Sequence, residues 1–353
     1  MKIRVGIIGN GGIAHAHADG YKALGDRVEL VACCDINEEK AISFSKEYNI
    51  PHYYTDCVEM FKNEQIDIVS VCTWNSAHAP CTIAALEANC HVICEKPMAM
   101  NTKEALAMKA AADKAGKLLM VGFVRRQGND AAAAIDFIEK GYLGNVYYAK
   151  ASYLRRCGFP GGWFGDKSRS GGGPLIDLGV HVIDLSRYIM GNPKPVTVFG
   201  ATFDKIGARS HIQTTAWKSE TKVDEPIFTV EDLATAMIRF DNGAVLHVEA
   251  SFNLNIKSGT GDIEFFGDKA GLSLTPFELH TECNNRLADI AIHGDNGFDF
   301  GRDFKREIKN FVDAVEGKAK CLATADDGVE LMRILDAVYE SAATGKSVDI
   351  VRE

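Results

Sequence analysis

The sequence predicts an α/β fold followed by an α+β fold. Residues 1–124 are expected to form a doubly wound parallel sheet, and residues 125–353 a mainly antiparallel sheet with helices. Two observations predict the first sheet: short apolar runs alternate with helical patterns, and the first run ends in a glycine-rich turn. A third observation predicts the second sheet, because beyond residue 144 strand patterns follow one another with few helices between them.

The chain opens on a strand, a turn and a helix. Residues 3–8 form a β-branched apolar run, and a helical pattern begins after three closely spaced glycines. Gly9, Gly11 and Ala14 have the spacing of a dinucleotide-binding turn, whose glycines permit a tight turn and let the backbone approach a pyrophosphate. The N–H groups at a helix N-terminus favour phosphate at the same place. We therefore expect cofactor contacts from Gly9, Asn10, Gly11, Gly12 and Ile13.

An acidic residue follows at the distance that such a turn requires. The second apolar run, Val28–Cys34, ends at Asp35, about twenty residues beyond the glycines. A carboxylate there accepts hydrogen bonds from the adenosine ribose hydroxyls and repels a 2′-phosphate. Residues 36–37 supply no arginine to receive a phosphate, whereas Lys40 could reach one. The sequence therefore favours NAD over NADP as the cofactor.

The other elements of the first fold are predicted from periodicity and capping residues. Apolar runs predict strands at Tyr53–Tyr54, Ile66–Thr73, His91–Cys94 and Leu118–Gly122. Helical patterns lie between them, at Asn37–Tyr48, Cys57–Asn63, Pro80–Asn89 and Thr102–Ala115. Asn37 is typical of a helix N-cap, and Gly116 is typical of the residue that follows a helix.

The second fold is predicted from alternating runs and hairpin turns. Strand patterns occur at Val146–Tyr153, Val196–Phe203, Thr229–Phe240, Ala244–Phe252, Ile263–Phe266 and Leu272–Thr275. An Asn-Gly step at 242–243 predicts one hairpin, and the stretch Gly267–Gly271 predicts another. Helical patterns occur at Leu178–Met190, Phe304–Val315 and Asp327–Thr344. Residues 158–173 form a glycine-rich loop, and residues 205–226 have no pattern that predicts structure.

Polar side chains follow two strands of the first fold at their carboxyl ends, where a doubly wound sheet binds its ligand. We expect cofactor contacts there from Thr73, Asn75, His78, Glu95 and Lys96. Lys96 is the main catalytic candidate, because an ammonium group can stabilise the alkoxide-like charge that accompanies hydride transfer. Pro97 biases the backbone of Lys96 toward an extended conformation, which sets the direction of the Lys96 side chain. The alternative is an ordinary surface lysine at a strand end.

Asp177, His181 and Asp184 form a second cluster after the glycine-rich loop. Their spacing of i, i+4 and i+7 places them on one face of a helix. An imidazole titrates near neutral pH, so it can take a hydroxyl proton as a hydride leaves. The alternatives are a helix-capping Asp177 with a core His181, and a metal site. Because no further ligand accompanies the trio, we predict no metal.

Composition and charge exclude several classes of function. A net charge of −9 argues against nucleic acid as a partner, since that requires a clustered basic face. With neither a signal-peptide pattern nor an apolar run long enough to cross a bilayer, we expect a cytoplasmic protein without membrane contact. The ten cysteines include no Cys-x-x-Cys pair and fit buried thiols in a reducing compartment. His15 and His17 do not share a helix face, so we expect structural or cofactor-adjacent roles for them.

Several motifs together resemble the Gfo/Idh/MocA family of oxidoreductases, and the resemblance covers essentially the whole chain. These motifs are Gly9–Ala14, Thr73–His78, Glu95–Pro97, Gly122–Arg126 and Gly171–His181. The resemblance implies a Rossmann domain followed by a domain built on a large open antiparallel sheet. It also implies NAD(P)-dependent oxidation or reduction of a sugar, inositol or related polyol.

The same resemblance implies roles for single residues. Lys96 would be the catalytic lysine, His181 the acid/base, and Asp177 its partner in positioning the substrate. Asp184 would either touch the substrate or lie behind the residues that do, and further substrate contacts are implied for Arg126, Tyr153 and Trp163. The chain departs from the family at Trp74, where many relatives have proline before asparagine, and we expect altered packing near the nicotinamide.

Two other functions remain open from sequence alone. Some relatives are glycosidases that use bound NAD for transient oxidation, and a sensor could bind dinucleotide and sugar without turnover. The retention of Lys96, Asp177 and His181 together favours the dehydrogenase. An open sheet would also expose more apolar area than a monomer usually tolerates, which predicts a homodimer or homotetramer formed through the second sheet.

Overall fold

The computed structural model describes residues 2–214, 216–219 and 227–352 and divides them into two compact units. The first unit runs to Val124 and also includes Asp299–Met332. The second unit comprises Arg125–Phe298 and the chain from Arg333 onward. The sequence-based division into 1–124 and 125–353 did not include this return of the chain to the first unit. Part of the unpatterned stretch 205–226, namely residues 215 and 220–226, lies outside the described residues.

The first unit contains a parallel sheet. Its strands are β1 (Ile3–Ile8), β2 (Val28–Cys34), β3 (His52–Tyr54), β4 (Ile68–Val71), β5 (His91–Glu95) and β6 (Leu119–Gly122). They lie in the order β3-β2-β1-β4-β5-β6, and every neighbouring pair is parallel. This order is that of the dinucleotide-binding doubly wound fold, so the predicted α/β class is confirmed.

Helices connect these strands. They are α1 (Gly12–Lys22), α2 (Glu38–Tyr48), α3 (Cys57–Asn63), α4 (Asn75–Glu87) and α5 (Thr102–Ala115). The predicted caps are present: the Asn37 side chain accepts a hydrogen bond from the N–H of Lys40, and Gly116 adopts a left-handed conformation. The prediction that the fourth helix starts at Pro80 is wrong, because it begins at Asn75. Pro80 has no backbone N–H, so α4 lacks one intrahelical hydrogen bond at this position, and the helix nevertheless continues through it.

The second unit contains a mixed, mainly antiparallel sheet. Its strands are β7 (Val146–Leu154), β8 (Pro195–Phe203), β9 (Leu233–Phe240), β10 (Val245–Ser251), β11 (Thr260–Gly267), β12 (Gly271–Leu274), β13 (Phe277–Cys283), β14 (Arg286–Ala291) and β15 (Val348–Asp349). The order across the described residues is β14-β13-β12-β11-β7-β10-β9-β8-β15. Only the β7–β10 pair within this described sheet is parallel.

The helices of the second half and the hairpins complete the fold. The helices are α6 (Asn129–Glu139), α7 (Lys167–Ser170), α8 (Val180–Ile189), α9 (Phe300–Val315) and α10 (Ala325–Thr344). Both predicted hairpins, β9–β10 and β11–β12, are present. A third hairpin, β13–β14, was not predicted. It turns at Asn284 and Asn285, both with positive φ, and β14 is almost wholly exposed, so no alternation of apolar residues indicates it.

One face of the large sheet is covered and the other is open. Residues that alternate along β7, β9 and β10 are buried, and α8 contacts both β7 and β10. On the other face Phe199 and Met237 lie in register on neighbouring strands, and each side chain is 52% exposed. Among the described residues, no helix is long and apolar enough to cross a membrane.

The chain returns to the first unit through α9, which packs against α1. The contact depends on Gly20, because a Cβ atom there would lie 2.7 Å from Cγ1 and 2.9 Å from Cβ of Ile308. Both residues are buried. The close approach of these two helices therefore requires glycine at position 20.

We expect Gly20→Ala to lower the free energy of unfolding by about 1–3 kcal/mol, because the added methyl group forces the helices apart. Urea titration measures the change, and the effect of Gly20→Ala should be smaller in an Ile308→Ala background, which lacks the Cγ1 atom that the added methyl group would meet at 2.7 Å. Gly301→Ala, in α9, is the matched control, since its Cβ would meet only an atom at 3.8 Å. Equal effects at positions 20 and 301 would contradict this account of the packing.

Candidate functional site

The turn between β1 and α1 has the geometry that a dinucleotide requires. Gly9 has φ +84°, and a Cβ atom on it would lie 2.7 Å from the carbonyl of Cys72, so only glycine fits. A Cβ atom on Gly11 would meet nothing within 4 Å. Gly11 also precedes α1 without any side chain capping the helix. This N-terminus is therefore open to an anion.

Asp35 lies beside the same turn. Its Oδ2 atom accepts a hydrogen bond from the N–H of Asn10 at 2.8 Å, and its Oδ1 atom accepts one from the N–H of Asn37 at 2.8 Å. Each carboxylate oxygen has further acceptor capacity for ribose hydroxyls. The Asn10 side chain is buried, and its amide nitrogen and oxygen have no hydrogen-bond partner in the described structure. A buried, unsatisfied amide beside an open glycine turn fits a polar ligand such as the nucleotide.

His78 joins the segments that follow β4 and β5. Its Nδ1 atom lies 2.7 Å from the carbonyl oxygen of Pro97, and its Nε2 atom lies 3.1 Å from that of Thr73. Burial lowers the pKa of His78, although both carbonyl contacts oppose the shift. Asn75, the first residue of α4, is also buried. His78 therefore braces the loop that carries Thr73 and Asn75 against the segment that follows Lys96.

Glu95 and Lys96 lie at the carboxyl end of β5, but their side chains occupy different surroundings. Lys96 is partly exposed, whereas Glu95 is buried. One Glu95 oxygen lies 3.0 Å from Nε2 of His17, and the other accepts the N–H of Lys96 at 3.1 Å. The structure thus places Glu95, a predicted cofactor contact, in the interior of the first unit.

Opposing effects act on the pKa of the buried Glu95 carboxyl group. Burial alone would raise its pKa, but the hydrogen bond from His17 and the nearby charge of Lys96 bring the pKa below its usual value. Glu307 of α9 is buried nearby, and ligand atoms of His17, Glu95 and Glu307 lie within 4.8 Å of one another. Sequence reasoning did not find this cluster, since His17 and Glu95 are 78 residues apart.

In the second unit, the glycine-rich loop leads into a helical segment whose exposure is uneven. Residues 175–179 form a π-type turn that continues into α8, so helical structure begins earlier than the predicted residue 178. Between residues 175 and 187 all side chains are buried except those of Asp177 and His181, which are partly exposed. These two titratable groups therefore lie on the accessible side of an otherwise buried segment.

Asp184 and Arg126, two predicted substrate contacts, bind each other. The Arg126 guanidinium donates from Nε to Asp184 Oδ2 at 2.9 Å and from Nη2 to Asp184 Oδ1 at 2.6 Å. The side chains of both residues are 1% exposed. The guanidinium also lies over the ring of Tyr188, 4.6 Å from its centroid. This bidentate pair anchors α8, one turn beyond His181, to the segment that precedes α6.

Tyr153 and Trp163 have separate surroundings in the second unit. Tyr153 lines a cavity of about 160 Å³ together with Arg125 and Val182. Trp163 is partly exposed and stacks on Phe164, with 4.0 Å between the ring centroids. Of these two predicted substrate contacts, only Tyr153 lines this cavity.

The start of the helical segment is held by two residues that sequence reasoning missed. Glu231 accepts hydrogen bonds from the N–H of Leu175 and the hydroxyl of Tyr339. A Cβ atom on Gly173 would lie 2.2 Å from the Glu231 carbonyl oxygen, and one on Gly172 would lie 2.0 Å from the Tyr339 hydroxyl. The glycine run at 171–173 could have indicated such a close approach, but not its partners.

The sheet order, the open glycine turn, the acid beside it and a second α/β unit define a two-domain, NAD-binding oxidoreductase. Residues 3–123 match the oxidoreductase family described by its NAD-binding Rossmann fold, and residues 135–350 match the C-terminal alpha/beta domain of the same family. The chain belongs to the Gfo/Idh/MocA family, as the sequence motifs indicated. It is an NAD(P)-dependent dehydrogenase or reductase, and NAD is its expected cofactor.

Similar proteins span the whole chain. D-glucoside 3-dehydrogenase of Escherichia coli (strain K12) is 37% identical, over 99% of this chain and 97% of its own length. Levoglucosan dehydrogenase of Pseudarthrobacter phenanthrenivorans is 27% identical, over 99% of this chain and 98% of its own length. A solved structure of levoglucosan dehydrogenase with NADH and levoglucosan has a TM-score of 0.85 at 26% identity, with 100% of both chains covered.

We expect Asp35→Ala to weaken NAD binding about 10- to 100-fold, because the ribose hydroxyls lose a charged acceptor. Binding of NADP should change little or strengthen, since the repulsion of its 2′-phosphate is removed. Titration calorimetry with each dinucleotide measures both effects. Glu38→Gln, which removes a nearby exposed carboxylate at the start of α2, should leave the preference intact. An unchanged NAD/NADP ratio in Asp35→Ala would contradict the assignment.

Proposed function

We propose that this enzyme transfers a hydride between NAD(H) and a hydroxyl-bearing carbon of a sugar, inositol or related polyol. The two relatives described above act, by their names, on a D-glucoside and on levoglucosan. A levoglucosan dehydrogenase has been solved with NADH and levoglucosan. Since the chain matches both over nearly its full length, a glucoside ring hydroxyl is the first substrate to test.

The observation that carries the proposal is the uneven exposure of residues 175–187. An acid and an imidazole, Asp177 and His181, are accessible on a segment that is otherwise buried. Their spacing of i and i+4 places both groups on one face of the helical segment. Paired polar groups in such a place are typical of a site that moves protons.

The reaction divides between the cofactor and the protein. The glycine turn and Asp35 would hold NAD, which would supply the hydride acceptor. When the substrate alcohol is oxidised, its C–H hydrogen leaves with two electrons and its O–H proton must go to a base. His181 takes that proton and returns it in the reverse direction. The proposed role of Lys96, as an ammonium group, is to stabilise the negative charge that develops on a substrate oxygen.

Other residues hold these groups in place. Asp177 positions the substrate together with His181. The Arg126–Asp184 pair, with Tyr188, fixes α8 and hence His181. Tyr153 and Trp163 are proposed to contact the substrate, and Thr73, Asn75 and His78 to support the cofactor.

We expect Lys96→Ala and His181→Ala each to lower kcat about 100- to 1,000-fold, because each removes a group that stabilises charge or takes a proton. Both variants should still bind NAD. The measurement is NADH formation at 340 nm over glucosides, levoglucosan, inositols, aldoses and sugar phosphates. Lys103→Ala and His293→Ala, which remove exposed residues of the same types, are the matched controls.

Full turnover by both Lys96→Ala and His181→Ala would contradict these roles. Tight NAD binding without NADH formation from any sugar would overturn simple dehydrogenation. Aryl-glycoside hydrolysis without net NADH would then point to catalysis by transient oxidation, and the lack of both reactions to a sensor.

We also propose that the open face of the large sheet joins copies of this chain into a dimer or tetramer. Phe199 and Met237 pair across β8 and β9 on this face, and each is half exposed. Phe203, which is also exposed, lies on the same face of β8, four residues beyond Phe199. Apolar side chains grouped on one sheet face are typical of an interface rather than of a solvated surface.

We expect the protein at micromolar concentration to have the mass of a dimer or tetramer by light scattering, and Phe199→Asp with Met237→Glu to reduce that mass. Two charges at the interface would be desolvated on assembly without partners. Leu106→Glu, at an exposed apolar residue of α5, is the control and should leave the mass unchanged. A monomeric wild-type protein would contradict the proposal.

A further inference from the structure

A chain of four buried polar side chains crosses the first unit and ends at the backbone of Lys96. The Tyr21 hydroxyl lies 2.9 Å from Oγ of Ser70, and that Oγ lies 3.0 Å from Nδ1 of His17. His17 Nε2 lies 3.0 Å from Glu95, whose other oxygen accepts the N–H of Lys96. Tyr21, His17 and Ser70 have no exposed surface.

The donors and acceptors of this chain can be assigned in one direction. A carboxylate has only acceptor atoms, and one Glu95 oxygen already takes the Lys96 N–H, so we assign Nε2 of His17 as the donor to the other oxygen. In a neutral imidazole the other nitrogen, Nδ1, is then an acceptor, and the Ser70 hydroxyl donates to it. The Tyr21 hydroxyl in turn donates to Ser70. Every member is thereby satisfied, which a buried polar network requires if it is not to destabilise the fold.

Residues of β6 and α9 lie close to this chain of hydrogen bonds. Gly122 lies opposite Glu95 on β6, and a Cβ atom there would be 3.1 Å from a Glu95 carboxylate oxygen. The ring of Phe304 lies 6.0 Å from that of His17, measured between centroids. Other titratable groups near this cluster are Lys96, Cys72, Cys94 and, from α9, Glu307. A small residue on β6 therefore accommodates the carboxylate that holds Lys96.

We propose that His17, through Glu95 and with Ser70 and Tyr21 behind it, is a positioning residue that fixes the backbone from which the Lys96 side chain extends. This inference rests on the proposed catalytic role of Lys96. The donor from His17 locks one carboxylate oxygen, so the other stays aligned with the Lys96 N–H. Loss of the donor leaves a buried carboxylate short of a partner, and the carboxylate then turns or draws in water. The ammonium group is displaced without any change at the glycine turn.

The test compares three substitutions. His17→Leu removes the donor and should lower kcat on the order of tenfold to a hundredfold, since a displacement of about 1 Å can cost that much. The dissociation constant and KM for NAD should stay near the wild-type values. His17→Gln can donate its amide N–H to Glu95 and accept from Ser70, so it should recover most of the lost kcat. Gly122→Ala, which presses on the Glu95 carboxylate, should reproduce the kcat loss while His17 is intact.

His91→Leu is the matched control. His91 begins β5 at the end opposite Glu95, and its Nδ1 accepts the N–H of Leu118 at 3.1 Å. Its loss should reduce stability but leave kcat unchanged. Equal kcat losses in His91→Leu and His17→Leu, or no recovery in His17→Gln, would overturn the proposal in favour of general destabilisation. A stoichiometric metal ion that is lost in His17→Leu would overturn it in favour of a metal centre at His17, Glu95 and Glu307.

A measurement without turnover separates this inference from the proposed function. The ¹⁵N spectrum of histidine-labelled protein, with His17 assigned by its absence in His17→Gln, reports which ring nitrogen carries the proton. A neutral ring protonated at Nε2 near neutral pH supports the hydrogen-bond chain even if no sugar is oxidised. A proton on Nδ1 alone, or a charged ring, overturns the assigned direction whatever the activity.

Discussion

The parallel register of four strands is the constraint on which the nucleotide half of the site depends. Ile8 on β1 pairs with Cys34 on β2 and with Val71 on β4, and Val71 pairs with Cys94 on β5. These strands therefore end at one level, and the residues that follow them meet at one edge of the sheet. The open glycine turn, its neighbouring acid and Lys96 are all consequences of this alignment. A shift of one residue in the register of these strands would move these groups apart.

In the second unit, close backbone contacts rather than strand alignment position the candidate site residues. The glycine run at 171–173 packs so closely on Glu231 and Tyr339 that a side chain at 172 or 173 has no space. Glu231 then caps the first turn of the helical segment. A segment held this firmly at its start can present Asp177 and His181 in a defined direction. Rigidity at the glycines, which are usually regarded as flexible, comes from their tertiary contacts.

Two pairs of buried ionisable side chains, one in each unit, bind each other inside the protein. Arg126 with Asp184, and His17 with Glu95, were considered from sequence as ligand contacts or as isolated structural residues. A buried ionisable group without a hydrogen-bond partner is costly, and each of these four groups has a partner at hydrogen-bond distance. Such pairs leave no local signal, since their members lie 58 and 78 residues apart. Their function is to hold the segments that carry the reactive groups.

The sequence by itself determined the two fold classes, most strands and helices, the glycine turn, Asp35 and the candidate reactive residues. These features depend on local periodicity, capping and turn chemistry, which a short window of sequence contains. Only the tertiary structure decided that α9 returns to pack on Gly20, that β14 extends the large sheet, and that the Glu95 carboxylate faces inward. Each of these depends on residues distant in the chain, and their close packing and the pairing of buried charges act only once the chain has folded.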